Sequence, residues 1–106
     1  MSGVLRALGL CRRAGALVCG TPMICGELPK GKLLLVVEAC DTSDGTHKKI
    51  TDKCGYYDVE HIRIGADGVS LAAAVGKSGS LAAVATGDEN LAGLIRSAID
   101  KERTDS

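Results

Sequence analysis

The chain has 106 residues, enough for one compact domain of the usual ~100 to 150 residues and no second core. Hydrophobic residues make up 45% of it, yet Phe and Trp are absent and Tyr56 and Tyr57 are its only aromatics. Ala, Val, Leu and Ile must therefore fill closely approaching layers, and there is no good platform for stacking unpaired bases. Thirteen basic side chains balance thirteen acidic ones, which removes any global basic field, although residues 1–57 carry +3 and residues 58–106 carry −3.

Val4, Leu5, Leu8 and Cys11 recur at helical spacing with Arg6, Arg12 and Arg13 among them, so residues 3–14 are expected to form an amphipathic helix ending near Gly15. A short apolar stretch, Ala16 to Cys19, follows. Gly20, Thr21 and Pro22 then form a turn feeding a short second helix that ends by Pro29, because Thr can cap free amides and Pro is tolerated at the first helical position. Leu33 to Ala39 is an almost unbroken apolar run of strand length, suited to a central strand covered on both faces.

Asp41 to Asp44 supplies capping candidates for a third helix reaching about Tyr56. Val59 to Ile64 alternates as a strand with one more polar side, and Asp67 can cap a fourth helix over Val69 to Val75. Gly76 to Gly79 breaks the pattern before a strand at Leu81 to Thr86, and Asp88 or Asn90 opens a last helix through about Ile99. Residues 1–100 are expected to be one domain and 101–106 a frayed tail. Strands alternating with helices predict a three-layer α/β/α sandwich with a mostly parallel sheet, allowing one antiparallel neighbour.

Several chemistries can be set aside. The GKS of Gly76 to Ser78 is not a phosphate loop, because Leu71 stands where a glycine is required and a strand, not a helix, follows. Cys40, Asp41 and His47 lie close in sequence, but an acidic neighbour disfavours a reactive thiolate. His47 and His61 are read as helix-surface and strand-surface residues, since no metal-ligand spacing joins them to a partner, and no metal or cofactor is expected. The five cysteines match no C-x-x-C motif and are read as free buried thiols. The chain has neither a membrane span of ~20 apolar residues nor a signal-peptide pattern, so a cytoplasmic protein is expected.

Residues 39–57, ACDTSDGTHKKITDKCGYY, are the most informative segment. A strand end, the hydroxyls of Thr42, Ser43 and Thr46, and the Lys48–Lys49 pair early in a helix put amides, hydroxyls and ammonium groups on one sheet edge. Such an edge can hold phosphates or base edges, and lysines near a helix start oppose its dipole. An ordinary cap followed by a solvated helix face is the other reading of the same residues.

Taken together, LGLCRRAGALVCG (8–20), GKLLLVVEACDTS (31–43), THKKITDKC (46–54) and LAAAVGK (71–77) resemble the L-seven-Ae and L-thirty-e ribosomal-protein superfamily over nearly the whole chain. The resemblance implies an α/β/α sandwich with a mixed four-stranded sheet. It also implies non-catalytic binding of kink-turns or similarly bent RNA, in ribosomal or other structured RNA, with ribosome association by analogy.

The family's RNA surface lies at the second helix start and nearby loops and carries a G-x-N-[ED]-x-x-K-like motif. Gly20 and Thr21 fit it, whereas Pro22, Met23 and Gly26 replace its Asn, acidic and Lys positions. Ala66, Asp67 and Gly68 replace an often basic loop, and Ala72 a usual Gly. The implied surface is Gly20, Thr21, Pro22, Met23, Ala39, Asp41, Thr42, Ser43, Thr46, Lys48 and Lys49, with the backbone of Val69, Ser70 and Leu71. Weakened or altered base specificity is expected. The alternative is a protein-interaction module that uses an apolar patch at Pro22, Met23 and Ile24.

Overall fold

A computed structural model describes residues 3–105. Within them the order is α1 (Gly3–Arg13), β1 (Leu17–Cys19), α2 (Thr21–Glu27), a 3-10 turn (Leu28–Lys30), β2 (Leu35–Glu38), α3 (Asp44–Tyr56), β3 (Glu60–Arg63), α4 (Gly68–Ala74), β4 (Ala83–Thr86) and α5 (Glu89–Asp105). The four strands form one sheet in the order β1-β4-β2-β3. β2 and β3 pair in parallel, Leu35 opposite Glu60, while β4 runs antiparallel to both β1 and β2, with Thr86 opposite Leu17 and Leu35.

Three strands thus point the same way, but the expected mostly parallel pairing is corrected. The odd strand is central, so two of the three ladders are antiparallel. Ala83 to Thr86 and Leu35 to Glu38 are buried throughout, as strands covered on both faces must be. Alternate residues serve opposite layers. Leu35, Val37 and Val84 pack with Val4, Leu8 and Cys11 of α1, Leu71 of α4, and Ile95 and Ile99 of α5. Val36, Ala83 and Ala85 pack with Ile24 of α2, Leu28, and Ile50 and Cys54 of α3. Each fully buried Leu, Ile or Val contributes about 1.5–3 kcal/mol to holding the layers together.

Three helix starts use the expected chemistry, but α2 does not: Gly20 takes its cap position with no side-chain hydrogen bond, and Thr21, expected to cap, is the first residue inside the helix. Ser43 Oγ accepts from the Thr46 amide at 3.3 Å, Asp67 Oδ1 from Ser70 at 2.8 Å and Asp88 Oδ1 from Leu91 at 3.0 Å, each satisfying a first-turn donor that the helix leaves open. The last helix differs from expectation. It continues through Asp105 instead of stopping near Ile99, because Asp-Lys-Glu-Arg after Ile99 holds no Gly or Pro to end it. Residues 101–105 therefore continue α5, and Ser106 lies outside the described residues.

The thiols also divide. Cys11 and Cys54 are buried, Cys19 and Cys25 half-buried, and Cys40 exposed, all of them free, so the expectation of uniformly buried thiols fails at Cys40, which lies just beyond the end of β2. Burial pushes the Cys11 thiol up, and burial with the charges of Cys25 and Glu38 pushes Cys54 up to about 11.

Candidate functional site

Because β1, β2 and β3 run the same way and β4 runs against them, the C-terminal ends of the first three strands meet the N-terminal end of β4 at one end of the sheet. The sequence-implied segments converge there. The Gly20 amide donates to the Ala83 carbonyl at 2.9 Å, Ala39 to Ala82 at 2.8 Å, and Leu81 to Gly68 at 3.0 Å. Asp41 Oδ1 accepts from the Gly68 amide at 2.8 Å, tying the turn after β2 to the start of α4.

Around the first of these turns, Gly20 holds φ 92° before α2, a conformation that L side chains rarely adopt. Pro22 and Met23 then face outward, Met23 60% exposed, but Ile24 is 1% exposed inside the core under α2. The expected three-residue apolar patch is thereby corrected to Pro22 and Met23. Helical spacing accounts for this: in so short a helix at least one apolar residue must face the sheet. Gly26 is exposed, and a side chain there would meet open space. The Thr21 hydroxyl is a buried oxygen without a hydrogen-bond partner among the described residues.

The turn from Ala39 to Ser43 is braced from within. Thr42 Oγ1 donates to the Ala39 carbonyl at 2.9 Å, and Ser43 Oγ donates to Thr46 Oγ1 at 3.0 Å. The proton of Thr46 Oγ1 is then left to point elsewhere. Lys48 and Lys49 are exposed on α3, but Lys48 Nζ lies 2.7 Å from Asp52 Oδ2, and this hydrogen bond raises the lysine's pKa. Among the described residues Lys49 has no acidic partner, so it offers the stronger free charge.

The α4 segment is more closed. Leu71 is fully buried, the Ser70 amide is taken by Asp67 Oδ1, and the Leu71 amide donates to the Asp67 carbonyl. Val69 is 61% exposed and is the outward-facing member of the three.

A second constellation was missed in the sequence. Glu38, inside the apolar run of β2, is fully buried, and both histidines turn toward it. His61 Nε2 lies 2.6 Å from Oε1, and His47 Nδ1 lies 2.8 Å from Oε2 and 2.9 Å from Oε1. The reading of the histidines as surface residues is corrected: each is partly buried against a carboxylate that burial would otherwise penalise. His47 Nδ1 is thus engaged by Glu38 and Asp41 Oδ1 by the Gly68 amide, and among the described residues no hydrogen bond joins either to Cys40.

Arg63 completes the group. Its Nε is 3.6 Å from Glu38 Oε2, while Nη2 donates to the Cys40 carbonyl at 2.9 Å and the Thr42 carbonyl at 3.4 Å. The available signal was a carboxylate within a run too apolar to be solvated, beside a strand, VEHIRI, rich in groups that could satisfy it.

The chain matches the Ribosomal protein L7Ae/L30e/S12e/Gadd45 family over residues 3–94. It is 34% identical over 93 residues to the RNA-binding protein YlxQ of Bacillus subtilis (strain 168), spanning 88% of this chain and 91% of that one. It is 36% identical to the RNA-binding protein YlxQ of Enterococcus faecium over 55 residues, 52% of this chain and 53% of that one.

Among solved structures, a protein with unknown function from Bacillus halodurans C superposes with a TM-score of 0.85 at 28% identity, covering 94% of this chain and 99% of the other. The Giardia lamblia 15.5kD RNA binding protein superposes at 0.76 and 19% identity, covering 93% and 83%, a likeness of fold. No helix among the described residues is long and apolar enough to cross a membrane. With a match that spans most of the chain and a fold shared with these structures, the protein belongs to the Ribosomal protein L7Ae/L30e/S12e/Gadd45 family.

Proposed function

We propose that the protein binds folded RNA, of the kink-turn or a similarly bent kind, through the sheet end formed by Gly20 to Met23, Ala39 to Ser43, Thr46, Lys49 and Val69, without catalysing a reaction. The observation that carries the reading is the convergence of the stretches at Gly20, Ala39, Asp41 and Gly68 on one end of the sheet, where Ala39 is buried but Pro22, Met23, Asp41, Ser43, Lys49 and Val69 are exposed, in a chain related to proteins named as RNA-binding. The braced turn before α3 presents a rigid surface to a sugar-phosphate backbone, Thr46 can donate a hydroxyl proton, and Lys49 supplies charge. Structured cytoplasmic RNA, ribosomal RNA included, is the partner class, and the ribosome is one place where it would be met.

Base readout is weaker than the family motif would allow. Pro22, Met23 and Gly26 lie on the exposed side of α2 yet offer no bidentate side chain, and one such contact is worth about 1–3 kcal/mol of discrimination. The protein-interaction alternative has lost Ile24 to the core, and Pro22 with Met23 alone is a small apolar surface.

The test is a fluorescence-anisotropy titration of a kink-turn RNA and a straight duplex at rising salt. Preference for the bent RNA, with a salt slope that flattens in the Lys48→Ala, Lys49→Ala double variant, is the expected result. Installing Pro22→Asn, Met23→Glu and Gly26→Lys together should tighten binding and sharpen base preference. Failure to bind either RNA at low salt would refute the reading and turn attention to protein partners at Pro22 and Met23.

A further inference from the structure

We propose that Glu38, His47 and His61 form a binding site for one divalent transition cation of the zinc class. The three side chains come from the end of β2, from α3 and from β3, and their donor atoms all lie within 4.8 Å of one another. Residues 38, 47 and 61 are too widely spaced to register as a short ligand motif, which is why the histidines read as ordinary surface groups until the fold brought them together.

The donor set selects the cation. Two imidazole nitrogens and one carboxylate oxygen suit zinc, cobalt and nickel, whereas magnesium and calcium take oxygen ligands almost exclusively. Three protein donors leave a fourth position for water or an outside ligand, the arrangement of an open tetrahedral site.

The geometry is close. Bonds of about 2.0–2.1 Å at tetrahedral angles put donors about 3.3 Å apart, against 2.6–2.9 Å between the histidine nitrogens and the carboxylate here. A cation would open the imidazole–carboxylate pairs by about 0.4–0.7 Å and set the two imidazole nitrogens, which lie within 4.8 Å of each other, at the same spacing; His47, with its side chain 39% exposed on α3, has room to move. Glu38 is fixed in the central sheet, and Arg63, 3.6 Å from Oε2, is anchored separately on the Cys40 and Thr42 carbonyls. A cation here would replace two imidazole–carboxylate hydrogen bonds, offset the charge of a fully buried carboxylate, and join three elements directly beneath the turn before α3. The site stands apart from the RNA reading and can fail or hold without it.

Calorimetric titration of chelator-treated protein with zinc, with cobalt as the spectroscopic probe, tests it. One saturable cation per chain, a cobalt ligand-field spectrum without thiolate charge transfer, and a thermal midpoint that rises with cation are expected. His47→Asn and His61→Gln each keep an amide donor for Glu38, so the fold should persist while affinity falls at least about tenfold and the thermal increment disappears. Cys25→Ser and Cys40→Ser should change nothing. Absence of saturable binding, a cobalt–thiolate band, or affinity unchanged in His47→Asn would overturn the proposal.

Discussion

Helices α3 and α4 begin at the same end of the sheet with the same device, a side-chain oxygen accepting from an amide three residues on, yet they do different work. Ser43 opens α3 into solvent, with Asp44, Gly45, Lys48 and Lys49 all exposed. Asp67 opens α4 onto a packed wall, where Gly68 is buried and its amide is claimed by Asp41. A helix start is an offer of donors only where nothing else has already taken them. One of these starts lies open to solvent, and the other fastens the turn that leads into the first.

Two glycines give the sharpest test of this contrast. A Cβ on Gly68 would collide with Ser80 Oγ and stand 2.9 Å from the Leu81 carbonyl oxygen, whereas one on Gly45 would meet nothing within 4 Å. Gly68→Ala should therefore cost about 2–3 kcal/mol in urea unfolding, while Gly45→Ala should be neutral or stabilise by up to about 1 kcal/mol. Equal effects would end the distinction.

Asp41→Ala strips the partner from the Gly68 amide and should cost about 1–2 kcal/mol, with hydrogen exchange at that amide rising. Ser43→Ala should cost about 1 kcal/mol by losing the α3 cap, and it should weaken RNA binding more than Asp67→Ala does if α3 is the presenting helix.

Acid separates the two starts again. Hydrogen bonding from Ser70 holds the Asp67 carboxyl below the usual carboxylate range. Its contribution is present above the unfolded value and lost as pH falls through the lowered folded value, whereas Ser43 does not titrate. Exchange protection at the start of α4 should therefore fail in acid before that of α3. The base side is governed by the thiols: with folded pKa values raised at Cys11 and Cys54, stability should hold below pH 9 and fall as pH rises toward about 11. Alkylation at pH 8 should reach Cys40 first. The smallest difference expected is between the lysines, with Lys49→Ala reducing RNA affinity and its salt slope more than Lys48→Ala, since Asp52 already engages Lys48.

Local pattern was a good guide where one segment decides its own fate. The 3.6-residue spacing of Val4, Leu5, Leu8 and Cys11 marked α1, and Ser43, Asp67 and Asp88 act as the caps their positions suggested. The family resemblance named the surface segments, and the strand ends bring them together. What stayed hidden depends on pairs distant in sequence. Glu38 in the apolar run of β2 signalled a need for partners, but not that these would be His61 across a parallel ladder and His47 from the helix above. Nor could Ile24 be told from its exposed neighbours Pro22 and Met23 before the angle of α2 on the sheet was known.

The place of β4 bears on how the chain reaches this state. β1 pairs only with β4, and β2 reaches β1 only through it, so the strand lying between them is supplied by residues 83–86. While the ribosome is still making the earlier residues, β2 and β3 have each other, but β1 has no neighbour and β2 shows a bare edge of apolar, unpaired backbone. Closure joins residues more than sixty apart, Leu17 with Thr86, and such long-range closure is slow to form. The sheet end that faces outward is thus among the last parts of the molecule to exist: no nascent chain shorter than β4 can present it.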